Sequence, residues 1–326
     1  MLQVLVDNRN GNVWDLPVSS INYRTVRIGK ASSVDFTFLS GGIYESTNFQ
    51  INNGDIVRVT LDDIPVFYGY VFKIDSNRDE AVRITAYDQT RYLMGSDTYV
   101  FKNTSATNVL KKIANDSGLK ISEDIADTSY AIPKIVADGE KLFDIIVNAL
   151  ADTTRSTGKS YVFFDNFGEL TIKKIEDLAI DLSLGDQSLV YDYSTSRSID
   201  SDTYNRVKLV QDIKNKKGKV TGRDVYIAQD SNNIEKWGRL QYYQKLDDGL
   251  NKAQINEVLT TLSQLKNRET RTFSISALGD IRVRAGCKLS VNIQEAGINE
   301  SYLVDECEHK FDGEEHTMSL NLKVYG

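Results

Sequence analysis

The chain has 326 residues, with 39 Lys plus Arg against 46 Asp plus Glu and a formal charge of −7. Such a balance argues against a sequence-reading nucleic-acid binder, which carries a basic footprint. Hydrophobic residues at 40% and charged residues at 26% exclude wholesale disorder. No apolar run approaches the roughly 18 residues of a membrane helix, and the opening MLQVLVDNRN has no basic flank, long apolar core or cleavage site. No membrane insertion is expected, and the chain is expected to be made in a bacterial cytoplasm. Two cysteines and two histidines are too few for a disulfide scaffold or a Cys-rich zinc site.

Seventeen Tyr and 12 Phe suit pleated strands, and only three Pro interrupt them. Leu2, Val4 and Val6 alternate with their neighbours, and Asn10-Gly11 marks a reversal before Val13 and Trp14. Ile21, Tyr23 and Thr25 alternate, as do Val34, Phe36 and Phe38. Gly54 opens a strand with Val57, Val59 and Leu61 on one face. Asp62-Asp63 then turns the chain into an aromatic run from Ile64 to Ile74, in which Gly69 is expected to mark a bulge or tight bend. Ser76 to Asp79 predicts another turn, and Val82, Ile84 and Ala86 another strand. A closed or nearly closed antiparallel barrel is the expected way to hide these edges.

Helices are expected after Tyr99. Val109, Leu110 and Ile113 predict one capped by Thr104 or Ser105 and ended by Gly118. A second is predicted from about Glu140 to Thr154, capped by Asp138, with Leu142, Phe143, Ile146 and Leu150 as its buried stripe. YVFF from Tyr161, a turn at Asp165 to Gly168, and Leu170, Ile172 and Ile175 read as a hairpin. Strands return from Leu182, clearly at Arg206 to Val210. The polar run DIKNKKGKVTGRD from Asp212 is expected to be an exposed excursion, including the charge run Lys214 to Lys219. Ile255, Leu259, Leu262 and Leu265 predict a helix over Asn251 to Asn267. Phe273, Ile275 and Ala277, then Leu289, Val291 and Ile293, and a closing hairpin from Tyr302 to Tyr325 complete the chain.

An ungapped offset of 232 places Gly54 on Gly286, Val57 on Leu289, Val59 on Val291, Tyr70 on Tyr302, Val71 on Leu303 and Phe72 on Val304. With a slightly longer turn, Val82 to Ala86 falls on His316 to Leu320. Similar letters are few and alternating strands align easily by chance, but the match yields an expectation of two copies of one β-unit. The expected fold class is mainly β (α+β), with two related antiparallel β-barrel domains flanking an inserted α/β module. The expected divisions are 1–98, 99–178 and 179–326, the last carrying an exposed excursion and helix at about 211–268.

Motifs for chemistry are sparse. Thr157 to Ser160 (TGKS) resembles the tail of a phosphate-binding loop, but position 153 is Thr and the segment runs from helix to strand, the wrong order. His309 and His316, near Cys307 and Met318, invite a metal reading. A two-residue loop at Asp312-Gly313 would set the histidines opposite each other, and a four-residue loop would keep both on one face. Two nitrogens and a thiol fall short of a four-ligand site, so packing and hydrogen bonding are the expected roles. Cys307 lies on the apolar face of its strand, and no GxSxG elbow occurs. Asp62 and Asp63, and Glu314 and Glu315, lie in turns, where acidic pairs are ordinary surface. Aromatics interleaved with Lys near Phe67 to Lys73 could stack on bases, but the acidic total favours a core role; Phe67, Tyr68 and Tyr70 are expected to be structural strand residues. No catalytic, cofactor-binding or metal residue is expected.

The order of segments resembles a known family. It is carried by GDIVRVTLDDIPVFYGYVFKID at Gly54, VRITAYDQTRYLMGS at Val82 and NTSATNVLKKIANDSGL at Asn103. It continues in YVFFDNFGELTI at Tyr161, YNRVKL at Tyr204, RAGCKLSV at Arg284 and SYLVDECEHKFDGEEHTMSLNLKV at Ser301. These blocks resemble the baseplate hub of contractile phage tails and phage-tail-like particles, in the form found in PBSX-type prophages (the XkdQ/YqbQ group) and similar to phage Mu-type hubs. Asp88 and Tyr92 fall where such hubs close the first barrel with a short helical turn.

The resemblance implies a non-enzymatic homotrimer in which each chain donates two similar barrels. The six barrels would make a pseudo-sixfold ring joining a hexameric tail tube to a threefold spike. Expected partners are the chain itself, the tube protein, the central spike, and the tape-measure and other baseplate proteins; DNA would pass through the channel without specific binding. The chain stops at Gly326 with no appended lysozyme or peptidase domain, so wall cutting is expected from a separate protein. A tail-associated cell-wall hydrolase or peptidase is the alternative, and a carbohydrate-binding or receptor-binding module a third. The expected location is the tail baseplate of a virion or a phage-tail-like, bacteriocin-like particle.

Overall fold

Alternation of apolar and polar residues shapes both ends of the chain. A computed structural model describes residues 2–325 except 42–45, 47, 77, 79, 186–189, 201, 216–217 and 247–249. Part of the expected turn at Ser76 to Asp79, and Lys216 and Lys217 of the charge run, lie outside the described residues. The first unit comprises β1 (Leu2–Asp7), β2 (Val13–Asp15), β3 (Val18–Val26), β4 (Ser33–Leu39), β5 (Ile56–Leu61), β6 (Ile64–Ser76) and β7 (Ala81–Tyr87). Its inward residues, among them Val4, Ile21, Phe36, Val57, Phe67 and Ile84, form one core.

A short 3-10 turn, Gln89–Met94, leads into β8 (Ser96–Thr104), α1 (Ala106–Asp116), β9 (Ile132–Lys141), α2 (Leu142–Thr157), β10 (Tyr161–Asp165) and β11 (Leu170–Lys174). These elements share a second core around Leu110, Ile113, Phe143, Ile146, Phe163 and Ile172. Ser105 caps α1 by accepting from Asn108 N–H. Asp138 does not cap α2: it lies in β9, which pairs with β8, and the helix starts after Lys141 with no side-chain cap. Thr98 Oγ1 donates to Asp138 at 3.0 Å, so this carboxylate serves the hairpin instead.

The chain then forms β12 (Ala179–Gly185) and β13 (Val190–Ser198), followed by β14 (Arg206–Lys214), β15 (Val220–Gln229), α3 (Ser231–Trp237), β16 (Gln241–Lys245) and α4 (Lys252–Lys266). Most of the polar run from Asp212 is thus not a loop but the β14–β15 hairpin, with exposed Asn215, Gly218 and Lys219 near its turn. This three-stranded sheet packs on α4 through Val207, Leu209, Ile255, Val258 and Leu262. Asn251 caps α4 in a reciprocal box with Gln254. The last strands are β17 (Thr270–Leu278), β18 (Lys288–Ile293), β19 (Ile298–Asp312) and β20 (Glu315–Val324).

Strand order shows the duplication. The first unit runs β1-β5-β6-β7-β4-β3, and the second runs β12-β18-β19-β20-β17-β13. Corresponding strands occur in the same order along the chain. The departure is at one edge, where β1 pairs antiparallel but β12 pairs parallel. Gly54 (φ +91) and Gly286 (φ +94) sit at matching points. Gly54 N–H donates to Val71 O at 2.8 Å, and Gly286 N–H to Val304 O at 2.8 Å. Directly beyond, both long strands carry a bulge, at Phe72 and at Asp305.

These pairings correct the ungapped alignment by one residue. Val71 matches Val304, not Leu303, and Tyr302 matches Gly69, not Tyr70. The second hairpin's longer turn absorbs the extra residue. A one-residue slip moves every side chain to the other face, and the corrected register sets buried residues on buried ones.

Neither unit closes into the expected barrel. The strands form one open 13-stranded sheet, because β3 pairs with β19 over Val26↔Glu306 to Ser20↔Asp312. The edges satisfy each other across the two units instead of curling back within each. Gly69 is not bulged either; it pairs in register with Val57, and bulges flank it at Val66 and Phe72. Glycine is required because an added Cβ would collide with the Tyr87 carbonyl and the Phe67 ring.

Candidate functional site

The sequence candidates for chemistry are placed as structural parts. Thr157 ends α2, and Gly158 (φ +71) terminates it by donating to Thr154 O at 2.8 Å; Lys159 and Ser160 lead into β10. Asp62 (φ +48) and Asp63 (φ +65) form the two-residue β5–β6 turn. Glu314 lies in the β19–β20 turn and Glu315 opens β20, both exposed.

That turn is Gly313-Glu314, so His309 pairs with Met318 and His316 with Phe311. Both histidines therefore share a face with Cys307 through a short turn. His309 is fully buried. Its Nε2 lies 2.8 Å from Val283 O, a group that only accepts, so Nε2 carries the proton. Nδ1 then accepts from His316 Nε2 at 3.0 Å. Burial holds His309 down at about 4 and pushes the Cys307 thiol well up, which leaves a neutral imidazole and an unreactive thiol. Among the described residues, no three or more of His, Cys, Asp and Glu are grouped to hold a metal ion.

The aromatic run behaves differently from the expected core. Phe67 is buried at 3% exposure, but Tyr68, Tyr70 and Phe72 point to the opposite, half-exposed face. There they join other rings into a ladder. Phe167 meets Tyr68 at 5.7 Å, Tyr68 meets Tyr70 at 6.0 Å, and Tyr70 meets Tyr92 at 5.4 Å. Tyr92 meets Phe72 at 5.5 Å, and Phe72 meets Tyr87 at 5.5 Å. Arg9 lies over Tyr70 at 5.2 Å and Arg91 over Phe72 at 5.5 Å. Phe167 holds a left-handed φ of +52, an uncommon conformation for a bulky residue. Strict two-residue alternation would have shown aromatics on both faces of this strand.

Beside Tyr68 and Phe167 a cavity of about 190 Å³ receives Tyr23, Asp88, Asp165 and Arg284. Here the first unit, the β10–β11 turn and the β17–β18 connection meet. Asp88 caps the 3-10 turn, accepting from Thr90 N–H at 3.0 Å. Arg284 stacks on Phe164 at 3.7 Å and points its guanidinium at Asp165 O, 3.4 Å away. Burial, reinforced by the Asp88 charge, raises the Asp165 carboxyl to about 7. Burial also raises Asp88 and pushes Tyr23 up to about 12. No sequence pattern pointed to this joint, because its members come from four separated segments.

A larger cleft of about 1230 Å³ lies between α2, α4, β17 and the chain end. Three of its cations are compensated: Arg27 and Lys323 share Asp305, each at 2.7 Å, and Lys266 pairs with Asp202. No helix of the described residues is long and apolar enough to cross a membrane.

A family model described as YQBQ-like matches residues 21–323. The chain is 32% identical over 279 residues to the protein YqbQ of Bacillus subtilis (strain 168), covering 84% of this chain and 82% of that one. It is 31% identical over 283 residues to the phage-like element PBSX protein XkdQ of the same strain, covering 85% and 84%. Among solved structures, a tail protein from Neisseria meningitidis MC58 superposes with a TM-score of 0.71 at 15% identity, covering 100% of this chain and 96% of that one, so the fold is shared. A common strand plan over nearly the whole chain, with identity above 30% to two relatives, places this chain in the YQBQ-like family.

Proposed function

We propose that the chain is a structural, non-enzymatic component of a phage or prophage tail, serving as a trimeric baseplate hub. The observation that carries this reading is the pair of six-stranded units with one strand order in a single polypeptide. Three chains then offer six related units, and a threefold object can meet a hexameric tube on near-equivalent surfaces. The family relation to the PBSX protein XkdQ and the fold shared with a tail protein support it. On this reading residues 1–98 and 179–326 are the ring-forming parts and 99–178 the insert between them. The tube, spike, tape-measure and other baseplate proteins are the partners, and the site of action is the tail baseplate. The net charge of −7 suits a channel wall that repels DNA phosphates.

The test is mass determination by light scattering, on the chain alone and co-expressed with its tube and spike proteins. Three subunits per particle are expected; a closed dimer, or six copies per ring, overturns the hub. Incubation with peptidoglycan checks the non-enzymatic part, since release of wall fragments would favour the hydrolase.

A further inference from the structure

The ring ladder on β6 is not a requirement of the fold, because the duplicate supplies an internal control. By strand pairing, the counterparts of Tyr68, Tyr70, Phe72 and Tyr87 in the second unit are Ser301, Leu303, Asp305 and Lys323. That unit folds with the same strand order and no aromatic ladder on the matching face. The ladder's two guanidinium groups also differ from the paired arginines of the chain. Arg24, Arg27, Arg58, Arg155, Arg223 and Arg282 each pair with a carboxylate. Arg9 and Arg91, both exposed, have only aromatic faces as side-chain partners among the described residues. In an acidic chain, two cations without counter-charges beside Tyr92, itself 44% exposed, form a surface of the composition that dominates protein-interface energetics.

We propose that this ladder is a docking surface for an acidic, apolar-bearing peptide segment of a partner protein. Its carboxylates would bind Arg9 and Arg91 with charge-assisted hydrogen bonds, and its apolar side chains would lie on Tyr70, Tyr92 and Phe72. A basic segment is disfavoured, because it would face both guanidinium groups. On the hub reading a trimer carries three such surfaces, alternating with three second-unit faces that lack the ladder. The partner would then bind with threefold stoichiometry on a pseudo-sixfold ring. Only that count rests on the hub reading.

The experiment uses the full chain and a short labelled peptide alternating Glu with Leu and Tyr, followed by fluorescence anisotropy. The same peptide with Lys in place of Glu is the control, and oligothymidylate and a glycerol-phosphate polymer are competitors. Salt-sensitive binding of the acidic peptide alone is expected. It should weaken by about tenfold or more in the Arg9→Glu/Arg91→Glu double variant, with the melting temperature unchanged because both side chains are exposed, and also in Tyr92→Ala, whose melting temperature should fall slightly through the lost ring contacts with Tyr70 and Phe72. No binding, equal binding of the Lys peptide, or unchanged binding by the double variant overturns the proposal. Preferential binding of either polymer would also overturn it, by showing a site for anionic polymers. Light scattering on the same sample separates the two ideas: a closed dimer that binds the acidic peptide keeps the surface and loses the hub.

Discussion

Asp165 carries a buried oxygen, Oδ2, with no hydrogen-bond partner, while its Oδ1 accepts from Gly168 N–H at 2.7 Å. Burial, with the Asp88 charge second, holds its carboxyl at about 7. Because the folded value is raised, the folded state keeps a proton that the unfolded chain releases above its ordinary range near 3.8. Stability from this group is therefore complete at low pH and is lost as pH rises through about 7. Asp165→Asn keeps the acceptor for Gly168 without the charge. Urea titrations should show the stability of wild type relative to this variant falling from about pH 4 to 7 and levelling off above, by at most about 1.4 kcal/mol per unit. A parallel pair of profiles would show that Asp165 does not hold the proton. His309 has the opposite sign: held down at about 4 by burial, it removes stability as pH falls from about 6.5. Between about pH 4 and 6.5 the two slopes oppose and largely cancel, so only the comparison with the Asp165→Asn variant isolates the carboxyl. Sequence reasoning marked the histidines as packing groups but passed over Asp165, since a carboxylate in a turn looks solvated until the turn is packed against Arg284.

Among the elements, β19 carries the assembly of the two units. Its first half pairs with β18, and past the Asp305 bulge its second half pairs with β3, with β20 along its other side. Thr25 fixes this seam. It is 1% exposed, accepts from Ala285 N–H at 2.9 Å and lies 3.4 Å from the Cys307 carbonyl. Thr25→Val keeps the shape and leaves the Ala285 N–H without its partner, at a cost of about 1–3 kcal/mol. Denaturant midpoints on wild type and variant measure it, and an unchanged midpoint would mean that the seam does not depend on this hydroxyl. Local pattern made Ile21, Tyr23 and Thr25 legible as one buried face, but not their partner strand, which lies some 280 residues away. Nonlocal pairing also explains Asp138: its cap-like position before an apolar stripe is real, yet β8 claims it first. The predicted barrels fail for the same reason. Alternation shows that edges must be covered, but not which edge covers which.

The whole molecule is a continuous sheet with additions at its turns, and the addition between β13 and β17 is separable on physical grounds. In the first unit β3 and β4 are joined by a short connection, whereas their counterparts β13 and β17 are separated by β14, β15, α3, β16 and α4. That segment has its own core of Val207, Leu209, Leu246, Ile255, Val258 and Leu262. Its two ends leave the sheet side by side. Ser198 is directly opposite Thr270, Tyr204 N–H donates to Lys266 O at 2.9 Å, and Thr203 Oγ1 donates to Arg268 O at 2.9 Å. A two-residue turn can therefore close β13 onto β17 in the register they already have. Replacing residues 199–269 with Asn-Gly should leave a soluble chain with the strand signal of the sheet and one cooperative melting transition. The transition should be lowered by a few degrees, on the order of 1–2 kcal/mol, because α2 loses its contact with α4. In the intact chain, hydrogen exchange should show β14–β16 and α4 opening at a lower free energy than β3 and β19, since a segment with a separate core opens on its own. Loss of the sheet's circular dichroism on deletion, or equal protection throughout, would mean that the segment is bound into the fold more tightly than its core and termini imply.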